Sequence, residues 1–529
     1  MREEAKKRRT FAIISHPDAG KTTLTEKLLL YAGCLNVAGS VRARKNQRAV
    51  TSDWMAMERE RGISITSTVL NINYRGFQIN LLDTPGHQDF SEDTYRTLTA
   101  ADCAVMVIDA AKGIEAQTEK LFKVCALRKL PIITFVNKMD RPGRDPLQLL
   151  SEIEHVLGIG ASPLNWPVGT GPDFCGIYDR IGGKVNVFRP VAHGSQVVPI
   201  ESATLAEAAT AIGSDGQPLV QPELYERLRG EIELLDGAGE SFSRERFLRA
   251  EVSPVFFGSA LTNYGVETFL SSFLDLCPQP GARLSDVGFV PADRHEFAGF
   301  IFKIQANMDP RHRDRICFVR VCAGRFARDM IVIHPRTGEQ TRISRSHRLF
   351  AQNRESTEEA YPGDIIGMIN PGHFHLGDTI CEGKPVNYQG MPQFSPEHFA
   401  ILSCQETLRR KQFDKGLSQL VEEGAIQILH DPQAIRREPI LAAVGQLQFD
   451  VVQYRLEAEY GAKTHVQRLP FRLARWVEGD EAAIKAIELP TNATLAIDHF
   501  KHPVVLFGAD WDLESCKKQN PKLQFKAVR

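Results

Sequence analysis

The first third of the chain alternates short apolar runs with stretches of helical periodicity. The apolar runs are Phe11–Ser15, Ile79–Leu82, Cys103–Ile108, Ile132–Val136 and Val255–Phe257. The helical stretches between them are Thr22–Tyr31, Glu115–Leu127, Leu147–Leu157 and Val266–Leu276. This alternation predicts a mostly parallel β-sheet with helices on both faces.

The stretch from about residue 160 to 250 interrupts that rhythm. It contains a Gly- and Pro-rich segment, Trp166–Pro172, and a helical run, Glu223–Leu235. Because the last apolar run follows only at Val255, we interpret residues 160–250 as an insertion inside the first domain. A Pro-rich linker, Pro278–Pro280, closes that domain.

Beyond the linker the pattern changes twice. From Phe297 short strands with turn signals follow one another and predict a β-barrel. From about Gly390 strands and helices mix again: Leu441–Val444 is strand-like, and Gln446–Tyr460 has helical spacing and ends before a glycine. The expected fold is therefore multidomain, with an α/β domain at 1–280, a β-barrel at 281–388 and a C-terminal α+β domain at 389–529.

Composition narrows the class of protein. The 529 residues suggest three or four domains, and 43% hydrophobic with 24% charged residues is the balance of a globular protein. The charged N-terminus lacks an apolar leader, and the longest apolar runs fall far short of the roughly 20 residues of a membrane span. The ten cysteines contain no Cys-x-x-Cys pair, which argues against a zinc site. We expect a cytoplasmic protein without a membrane partner.

Residues 15–22 read S-H-P-D-A-G-K-T between a predicted strand and a predicted helix. A phosphate-binding loop has small residues whose amides wrap a phosphate, a lysine that reaches the terminal phosphates, and a hydroxyl for Mg²⁺. Gly20, Lys21 and Thr22 fit these roles, although Ser15 stands where the general pattern has glycine. A chance match in a strand-turn-helix is the alternative for this motif taken alone.

Two further motifs follow predicted strands. Asp83–Gly86 reads D-T-P-G, in which the aspartate can hold Mg²⁺ and the glycine amide can meet a γ-phosphate, although Asp-x-Pro-Gly is also an ordinary turn. Asn137–Asp140 reads N-K-M-D, in which a carboxylate can accept both amino hydrogens of guanine, although a helix N-cap turn is the alternative. Ser259 and Ala260 follow the last strand and could brace the base through their amides. The order of these elements favours a GTPase over other phosphate-loop proteins.

His87 directly follows D-T-P-G. A histidine at this point can position an attacking water, the role that a glutamine has in other GTPases. A surface turn histidine is the alternative, but its place beside the γ-phosphate motif favours catalysis.

These motifs resemble those of the translational GTPases. His16 and Asp18 fall where the variant phosphate loop of that family has the same residues, and D-T-P-G-H and N-K-M-D match its signatures. R-G-I-S-I, Arg61–Ile65, resembles the first switch, with Ser64 in place of the usual threonine and Thr66 as a rival metal ligand. Ile63 and Pro17 fall at the family's hydrophobic gate, where valine is usual at the second position.

Four longer stretches resemble the class II branch of the peptide chain release factors. They are Ser52–Ser67, Phe300–Arg315, Glu358–Ile365 and Ala443–Val452. The resemblance implies a ribosome-dependent GTPase that promotes dissociation of class I release factors after peptide release. It implies the ribosome and class I release factors as partners, GTP/GDP and Mg²⁺ as ligands, and a monomer in solution.

The motifs and the resemblance together assign the site. His87 is expected to be catalytic, and Mg²⁺ is expected on Thr22, Asp83 and Ser64, with Thr66 as the alternative to Ser64. Nucleotide binding is expected from Ser15, His16, Pro17, Asp18, Ala19, Gly20, Lys21, Thr22, Thr23, Asp83, Thr84, Pro85, Gly86, His87, Asn137, Lys138, Met139, Asp140, Ser259, Ala260 and Leu261.

Basic clusters are candidates for contact with ribosomal RNA, although a solvated face is the alternative for each. They are Arg42-Arg44-Lys45-Arg48, Arg311-Arg313-Arg315, Arg342-Arg345-Arg348 and Arg409-Arg410-Lys411. Three rival functions remain open at this point: a translocase like elongation factor G, a non-hydrolysing GTP-gated assembly scaffold, and a phosphate-loop metabolite kinase. The short chain argues against the translocase, which would have further domains. His87 argues against the non-hydrolysing scaffold, and N-K-M-D argues against the kinase.

Overall fold

A mostly parallel sheet forms the centre of the first domain. The structure, a computed structural model, describes residues 1–34, 65–189, 198–238, 242–306, 315–344, 346–350, 353–370, 372–432 and 438–529. The strands of the first domain are β1 (Arg8–Ser15), β2 (Thr68–Tyr74), β3 (Phe77–Asp83), β4 (Cys103–Asp109), β5 (Ile132–Asn137), β6 (Gly160–Pro163), β7 (Asn165–Val168), β8 (Gly176–Asp179), β9 (Lys184–Phe188), β10 (Ile200–Thr204) and β11 (Val252–Phe257). Its helices are α1 (Arg2–Lys6), α2 (Lys21–Tyr31), α3 (Ser91–Ala100), α4 (Ala116–Leu127), α5 (Pro146–Leu157), α6 (Leu205–Ala208), α7 (Pro222–Ala238), α8 (Arg244–Leu248) and α9 (Val266–Leu276).

The central sheet has the strand order β2-β3-β1-β4-β5-β11-β6. Neighbouring strands are parallel except for the antiparallel pair β2 and β3. Strands β1, β4, β5 and β11 are buried along their whole length, as expected where helices cover both faces of a parallel sheet. The predicted strands and helices of the first third are confirmed, and their bounds differ from the prediction by at most three residues.

Residues 160–250 contribute to two sheets. β6 pairs with β11 and extends the central sheet at its edge, whereas β7 to β10 form a separate antiparallel sheet. The predicted helical run Glu223–Leu235 lies within α7.

An antiparallel, barrel-like domain follows. Its strands are β12 (Arg283–Ser285), β13 (Gly288–Val290), β14 (Ala298–Ala306), β15 (Arg315–Ala323), β16 (Phe326–Ala327), β17 (Ile331–Ile333), β18 (Gln340–Arg342), β19 (Ser346–Phe350), β20 (Asn353–Ser356), β21 (Glu359–Ala360), β22 (Ile365–Ile369) and β23 (Thr379–Cys381). Most of them follow the order β18-β17-β23-β14-β15-β22-β19. The sheet continues into the first domain, because Phe350 in β19 pairs with Leu70 in β2.

The carbonyl of Gly363 joins the barrel to the first domain. It accepts hydrogen bonds from Thr10 Oγ1 at 2.6 Å, Asn80 Nδ2 at 2.8 Å and Arg320 Nη1 at 2.7 Å. Arg320 is almost fully buried and also pairs with Asp102 of the first domain. The two domains therefore share a buried polar joint.

The C-terminal domain packs helices on an antiparallel sheet. Its strands are β24 (His398–Cys404), β25 (Gln427–His430), β26 (Ile440–Ala443), β27 (Thr464–Arg468), β28 (Leu473–Glu478), β29 (Ala493–Asp498), β30 (Pro503–Phe507) and β31 (Gln524–Lys526). Its helices are α10 (Arg410–Glu422), α11 (Leu447–Tyr460), α12 (Glu481–Lys485) and α13 (Asp510–Gln519). The predicted helix 446–460 is confirmed as α11, which Gly461 ends in the left-handed conformation at φ 66°. The prediction of an α/β domain followed by β and α+β domains is thus confirmed as a fold class. Within the described residues, no helix combines the length and apolarity that crossing a bilayer requires.

Candidate nucleotide-binding site

The predicted motifs meet at one edge of the central sheet. The loop 15–20 follows β1, Asp83 ends β3, Asn137 ends β5, and Ser259 comes shortly after β11. Because these strands are parallel, their carboxyl ends lie on the same side, where open α/β sheets bind ligands.

Two residues of the phosphate-type loop adopt positive φ angles. Asp18 and Gly20 both have positive φ, 66° and 95°, and the glycine is required by space as well as by angle. A Cβ at Gly20 would lie 2.3 Å from Nδ2 of Asn137. Lys21 opens α2, and its largely buried ammonium forms an ion pair with Oδ1 of Asp83. Thr22 and Thr23 follow in the first turn of α2, both half-buried.

The D-T-P-G segment packs against that loop. Gly86 approaches Pro17, since a Cβ at Gly86 would lie 3.6 Å from the Pro17 backbone. The Thr84 hydroxyl donates to the Ile13 carbonyl at 2.6 Å, and the Pro85 carbonyl accepts from Thr94 Oγ1 at 3.2 Å.

The second carboxylate oxygen of Asp83 is available. Oδ2 is buried and has no hydrogen-bond partner among the described residues, while Oδ1 is taken by Lys21. A buried carboxylate oxygen beside a phosphate-type loop is a suitable ligand for a hard cation such as Mg²⁺. The donor set therefore fits the metal that the sequence predicts.

Asn137 ties the phosphate-type loop to the loop after β11. Its Nδ2 donates to the Ala19 carbonyl at 2.8 Å, and its Oδ1 accepts from the Ala260 amide at 2.8 Å. The side chain is buried, so both bonds are shielded from water.

Lys138 adds a second tie. Its ammonium donates to the Asp18 carbonyl at 2.5 Å and to Asp109 Oδ2 at 2.7 Å. Burial opposes ionisation of Asp109, but hydrogen bonds from Lys138 and from the Ala111 and Lys112 amides outweigh it and hold the pKa of that carboxyl below its ordinary value.

Asp140 is left free to meet a ligand. Met139 is buried and anchors the segment, because its amide donates to the Gly258 carbonyl at 3.2 Å and its carbonyl accepts from the Gly171 amide at 2.8 Å. Oδ1 of Asp140 is buried without a hydrogen-bond partner in the described part of the chain, and Oδ2 lies 4.0 Å from Arg141 Nε. A carboxylate in this state can accept two hydrogens from a planar base.

The loop after β11 is closed on itself. The Ser259 amide donates to the Tyr264 carbonyl at 2.9 Å, and Ser259 Oγ accepts from the Thr262 amide at 3.2 Å. The Ala260 amide is already bonded to Asn137, whereas the Leu261 side chain is exposed. The Ser259 and Ala260 amides therefore have protein acceptors in this structure.

Two histidines border the site. His87 precedes a 3₁₀ turn, Gln88–Phe90, and its Nδ1 accepts from the Asp89 amide at 3.2 Å. Oδ1 of the same aspartate lies 3.4 Å from Nδ1, so Asp89 contacts this ring nitrogen through both its amide and its carboxylate. His16 Nε2 lies 3.1 Å from Glu115 Oε1, and its Nδ1 is buried without a partner among the described residues.

The structure does not place every predicted residue at the site. Ser64 and Ile63 lie outside the described residues, and so do the first basic cluster, Arg311, Arg313 and Arg345. Thr66 precedes β2 and lines a small cavity shared with Asp93, Arg96 and Lys303 at the junction of the domains. Of the remaining basic residues, Arg315 pairs with Glu422, Arg342 with Asp329 and Arg410 with Asp414.

Asp109 and Glu115 border the site through Lys138 and His16, although the sequence motifs did not predict them. Asp109 ends β4, between the two strands that end in the predicted motifs. An acidic residue at the end of a buried strand was the signal that could have found it.

Comparison with known proteins agrees with this geometry. Residues 6–279 match the family model of the Elongation factor Tu GTP binding domain, 296–383 match Elongation factor G domain 2, and 388–517 match the C-terminal domain of the Class II release factor RF3. The last match separates the chain from a translocase like elongation factor G.

Full-length relatives carry one name, Peptide chain release factor 3. The protein from Gloeobacter violaceus is 54% identical over 99% of this chain and 98% of its own length. Those from Synechococcus elongatus and Microcystis aeruginosa are 54% and 55% identical, over 100% and 99% of this chain and 94% and 95% of their own lengths. A crystal structure of a protein from Thermus thermophilus shares the fold, with a TM-score of 0.69 and 22% identity over 90% of this chain and 71% of that one. The chain belongs to the peptide chain release factor 3 family of translational GTPases, the guanine-nucleotide-binding hydrolases of protein synthesis.

Proposed function

We propose that this chain binds and hydrolyses GTP on the ribosome during translation termination and thereby promotes dissociation of class I release factors. Family membership supports the GTPase activity and the role in termination. One observation in the structure supports the site most strongly. Asp83 ends β3 and Asp140 lies three residues after the end of β5, at the same sheet edge. Each keeps a buried carboxylate oxygen without a partner among the described residues.

The triphosphate is assigned to the loop after β1. Backbone N–H groups of residues 18–23 and the ammonium of Lys21 surround the phosphates, whereas Pro17 has no N–H to offer. The N-terminus of α2 adds a dipole that favours anions. Lys21 then exchanges its bond to Asp83 for bonds to phosphate. Mg²⁺, when bound, neutralises charge on the phosphates, and Thr22, Asp83 and either Ser64 or Thr66 are the residues that would hold it.

The base is assigned to Asp140. Its carboxylate accepts from the two amino groups of guanine, a pair that adenine lacks. Asn137 and Lys138 hold the base loop against the phosphate loop through Ala19 and Asp18. Ala260 supports the base loop by fixing Asn137, because its amide donates to the Asn137 side chain. Ser259 and Leu261 flank Ala260 in the same loop and are assigned to the base site with it.

Hydrolysis is assigned to His87. The imidazole orients the attacking water next to the γ-phosphate, and the bond from the Asp89 amide to Nδ1 leaves Nε2 to meet that water. We assign no arginine finger within the chain, and we expect slow intrinsic hydrolysis that the ribosome accelerates.

The division into domains serves a two-state switch. We assign residues 1–280 to the GTPase domain, 281–388 to the barrel and 389–529 to the C-terminal domain. The γ-phosphate holds the segments near residues 64–66 and 83–87 in one arrangement, and hydrolysis releases them. We also assign the protein to the cytoplasm as a monomer, with the ribosome as its partner and class I release factors as the proteins it displaces.

The test is release of a labelled class I factor from post-termination ribosomes. GTP with the wild-type chain should accelerate release, and omission of GTP should leave it at the rate without the protein. GTP hydrolysis with and without ribosomes is measured on the same samples. Release unaffected by the chain refutes the termination role, and hydrolysis that ribosomes do not stimulate favours a scaffold that only binds GTP.

A further inference from the structure

The C-terminal domain contacts the segment that carries His87. Ile65 and Phe90 of the first domain and Val451 of α11 form one buried apolar cluster, and Leu447 packs against it. Phe90 lies three residues after His87, and Ile65 lies in the first-switch motif. Helix α11 therefore packs on residues of both segments to which we assign the switch.

A carboxylate from the first domain caps α11. Oδ2 of Asp89 accepts from the Leu447 amide at 2.7 Å, the first residue of that helix. The helix has no side-chain capping bond from its own N-cap residue, Gln446. Asp89 thus supplies, from another domain, the hydrogen-bond acceptor that a serine or aspartate at the N-cap usually provides. Its negative charge is also favourable at the positive end of the helix dipole.

The loop before α11 is shaped to receive Asp89. A Cβ at Gly445 would lie 2.3 Å from both Cβ and Cγ of Asp89 and 2.4 Å from its Cα. No rotation of the Asp89 side chain relieves a clash with Cα, so only glycine permits this approach. Gln448 holds the loop in place: its Oε1 accepts from the Val444 and Gly445 amides, and its Nε2 donates to the Ala425 carbonyl.

Asp89 also holds His87. Its amide donates to Nδ1 of His87 at 3.2 Å, while its carboxylate binds the C-terminal domain. A displacement of Asp89 therefore moves the imidazole and the helix cap together.

We propose that Asp89 and Gly445 are positioning residues that couple docking of the C-terminal domain to the orientation of His87. This inference rests on the proposed role of His87 in hydrolysis. When the C-terminal domain is docked on the first domain, the Leu447 amide fixes the position of Asp89. Asp89 in turn orients the His87 imidazole towards the attacking water. A ribosome-induced shift of the C-terminal domain would then change the hydrolysis rate without touching the nucleotide.

The decisive variant is Gly445→Ala, with Gly390→Ala as its control. A Cβ at Gly390 meets nothing within 4 Å. Full-length proteins are compared by the affinity for GTP and by kcat and KM of hydrolysis against ribosome concentration. Gly445→Ala should lower kcat roughly 10- to 100-fold, the order that a misplaced catalytic group costs. Its GTP affinity and its KM for ribosomes should remain within about twofold of the wild type, as should every parameter of Gly390→Ala.

Substitutions at Asp89 distinguish loss of the contact with the C-terminal domain from general damage to the fold. Asp89→Asn keeps an oxygen that can accept from the Leu447 amide and should retain most of kcat, whereas Asp89→Ala should lose about as much as Gly445→Ala. The double variant Asp89→Ala/Gly445→Ala should be no slower than either single variant, because both break the same contact. If Gly445→Ala does not fold, the comparison of Asp89→Asn with Asp89→Ala decides.

A wild-type kcat in Gly445→Ala or in Asp89→Ala overturns the coupling, and so do fully additive losses in the double variant. His87→Ala serves as the reference. If His87→Ala keeps full stimulated hydrolysis, the proposed role of His87 fails and the coupling fails with it. If His87→Ala is slow while Gly445→Ala hydrolyses at the wild-type rate, the coupling alone is refuted.

Discussion

Replacing Asn137 by alanine should weaken GTP binding. The expected cause is the loss of two bonds between loops, because recognition of the guanine amino groups is assigned to Asp140 and not to Asn137. The wild-type side chain is buried and joins the Ala19 carbonyl to the Ala260 amide by two 2.8 Å hydrogen bonds. In Asn137→Ala both backbone groups lose their partner. The phosphate loop and the loop after β11 are then no longer fixed relative to each other.

The size of the effect follows from those two groups. A buried polar group left without a partner costs roughly 1–3 kcal/mol, so two cost about 2–6 kcal/mol. Relaxation of the free protein recovers part of this. If half of the cost reappears when the nucleotide orders both loops, the affinity falls by about 5- to 150-fold at 1.4 kcal/mol per tenfold.

The assay is titration of a fluorescent guanine nucleotide, with Asn520→Ala as a matched control. Asn520 also donates to and accepts from one backbone segment, the Glu488 carbonyl and amide at 2.8 and 3.0 Å, but it lies in the C-terminal domain. Asn520→Ala should therefore leave the nucleotide affinity unchanged. An Asn137→Ala protein that binds as tightly as the wild type would refute the clamp, and so would an equal loss in both variants.

Three further predictions concern individual side chains. Asp140→Asn should shift base preference towards xanthine nucleotides, whose C2 carbonyl needs a donor, and a competition titration that still favours GTP would count against base reading by Asp140. His87→Ala should bind GTP almost normally but lose most ribosome-stimulated hydrolysis, and parallel loss of both activities would contradict a purely catalytic role. Because the folded-state pKa of Asp109 is lowered, its contribution to stability is complete at neutral pH and disappears as pH falls from about 5 towards that pKa. Denaturant unfolding between about pH 5 and pH 3 should therefore show a smaller acid-induced loss of stability in Asp109→Asn than in the wild type, and identical pH profiles would show that the Asp109–Lys138 pair contributes nothing.

The hydrophobic periodicity predicted the elements that position the site. A strand covered on both faces is apolar throughout, and a helix that covers a sheet is apolar on one face. The fully apolar runs Cys103–Ile108 and Ile132–Val136 are buried central strands, and helix Val266–Leu276 has one apolar face towards them. β6 escaped notice, since the sequence Gly160–Pro163 has no strand-forming character and its pairing with β11 depends on a partner about 90 residues away. Tertiary context overrides local propensity there.

The same distinction holds within the site. Lys21, Asp83 and Asp140 were recognisable because their chemistry follows strand ends in fixed order. The contacts of Asn137 with Ala19 and Ala260 span more than 100 residues, and no local pattern encodes them. The approach of Asp89 to Gly445 could not be predicted from the sequence either. An isolated glycine can be required for many reasons, and here the residue that excludes a side chain belongs to another domain.

Hydrogen bonds to the Gly363 carbonyl resist separation of the barrel from the first domain. Separation of the barrel from the first domain must break the hydrogen bonds from Thr10 and Asn80 to this carbonyl together with the Arg320–Asp102 pair. It would also leave the buried Arg320 guanidinium without its carboxylate partner. The C-terminal domain meets the first domain through the Asp89–Leu447 cap and a small apolar cluster beside His87. Further hydrogen bonds join Arg96 to the Gly424 carbonyl and Gln427 to Glu92. The bonds from Thr10 and Asn80 are buried, whereas those that the C-terminal domain makes to the first domain are only partly buried. Because water competes for partly buried bonds, we expect the C-terminal domain to shift more readily than the barrel.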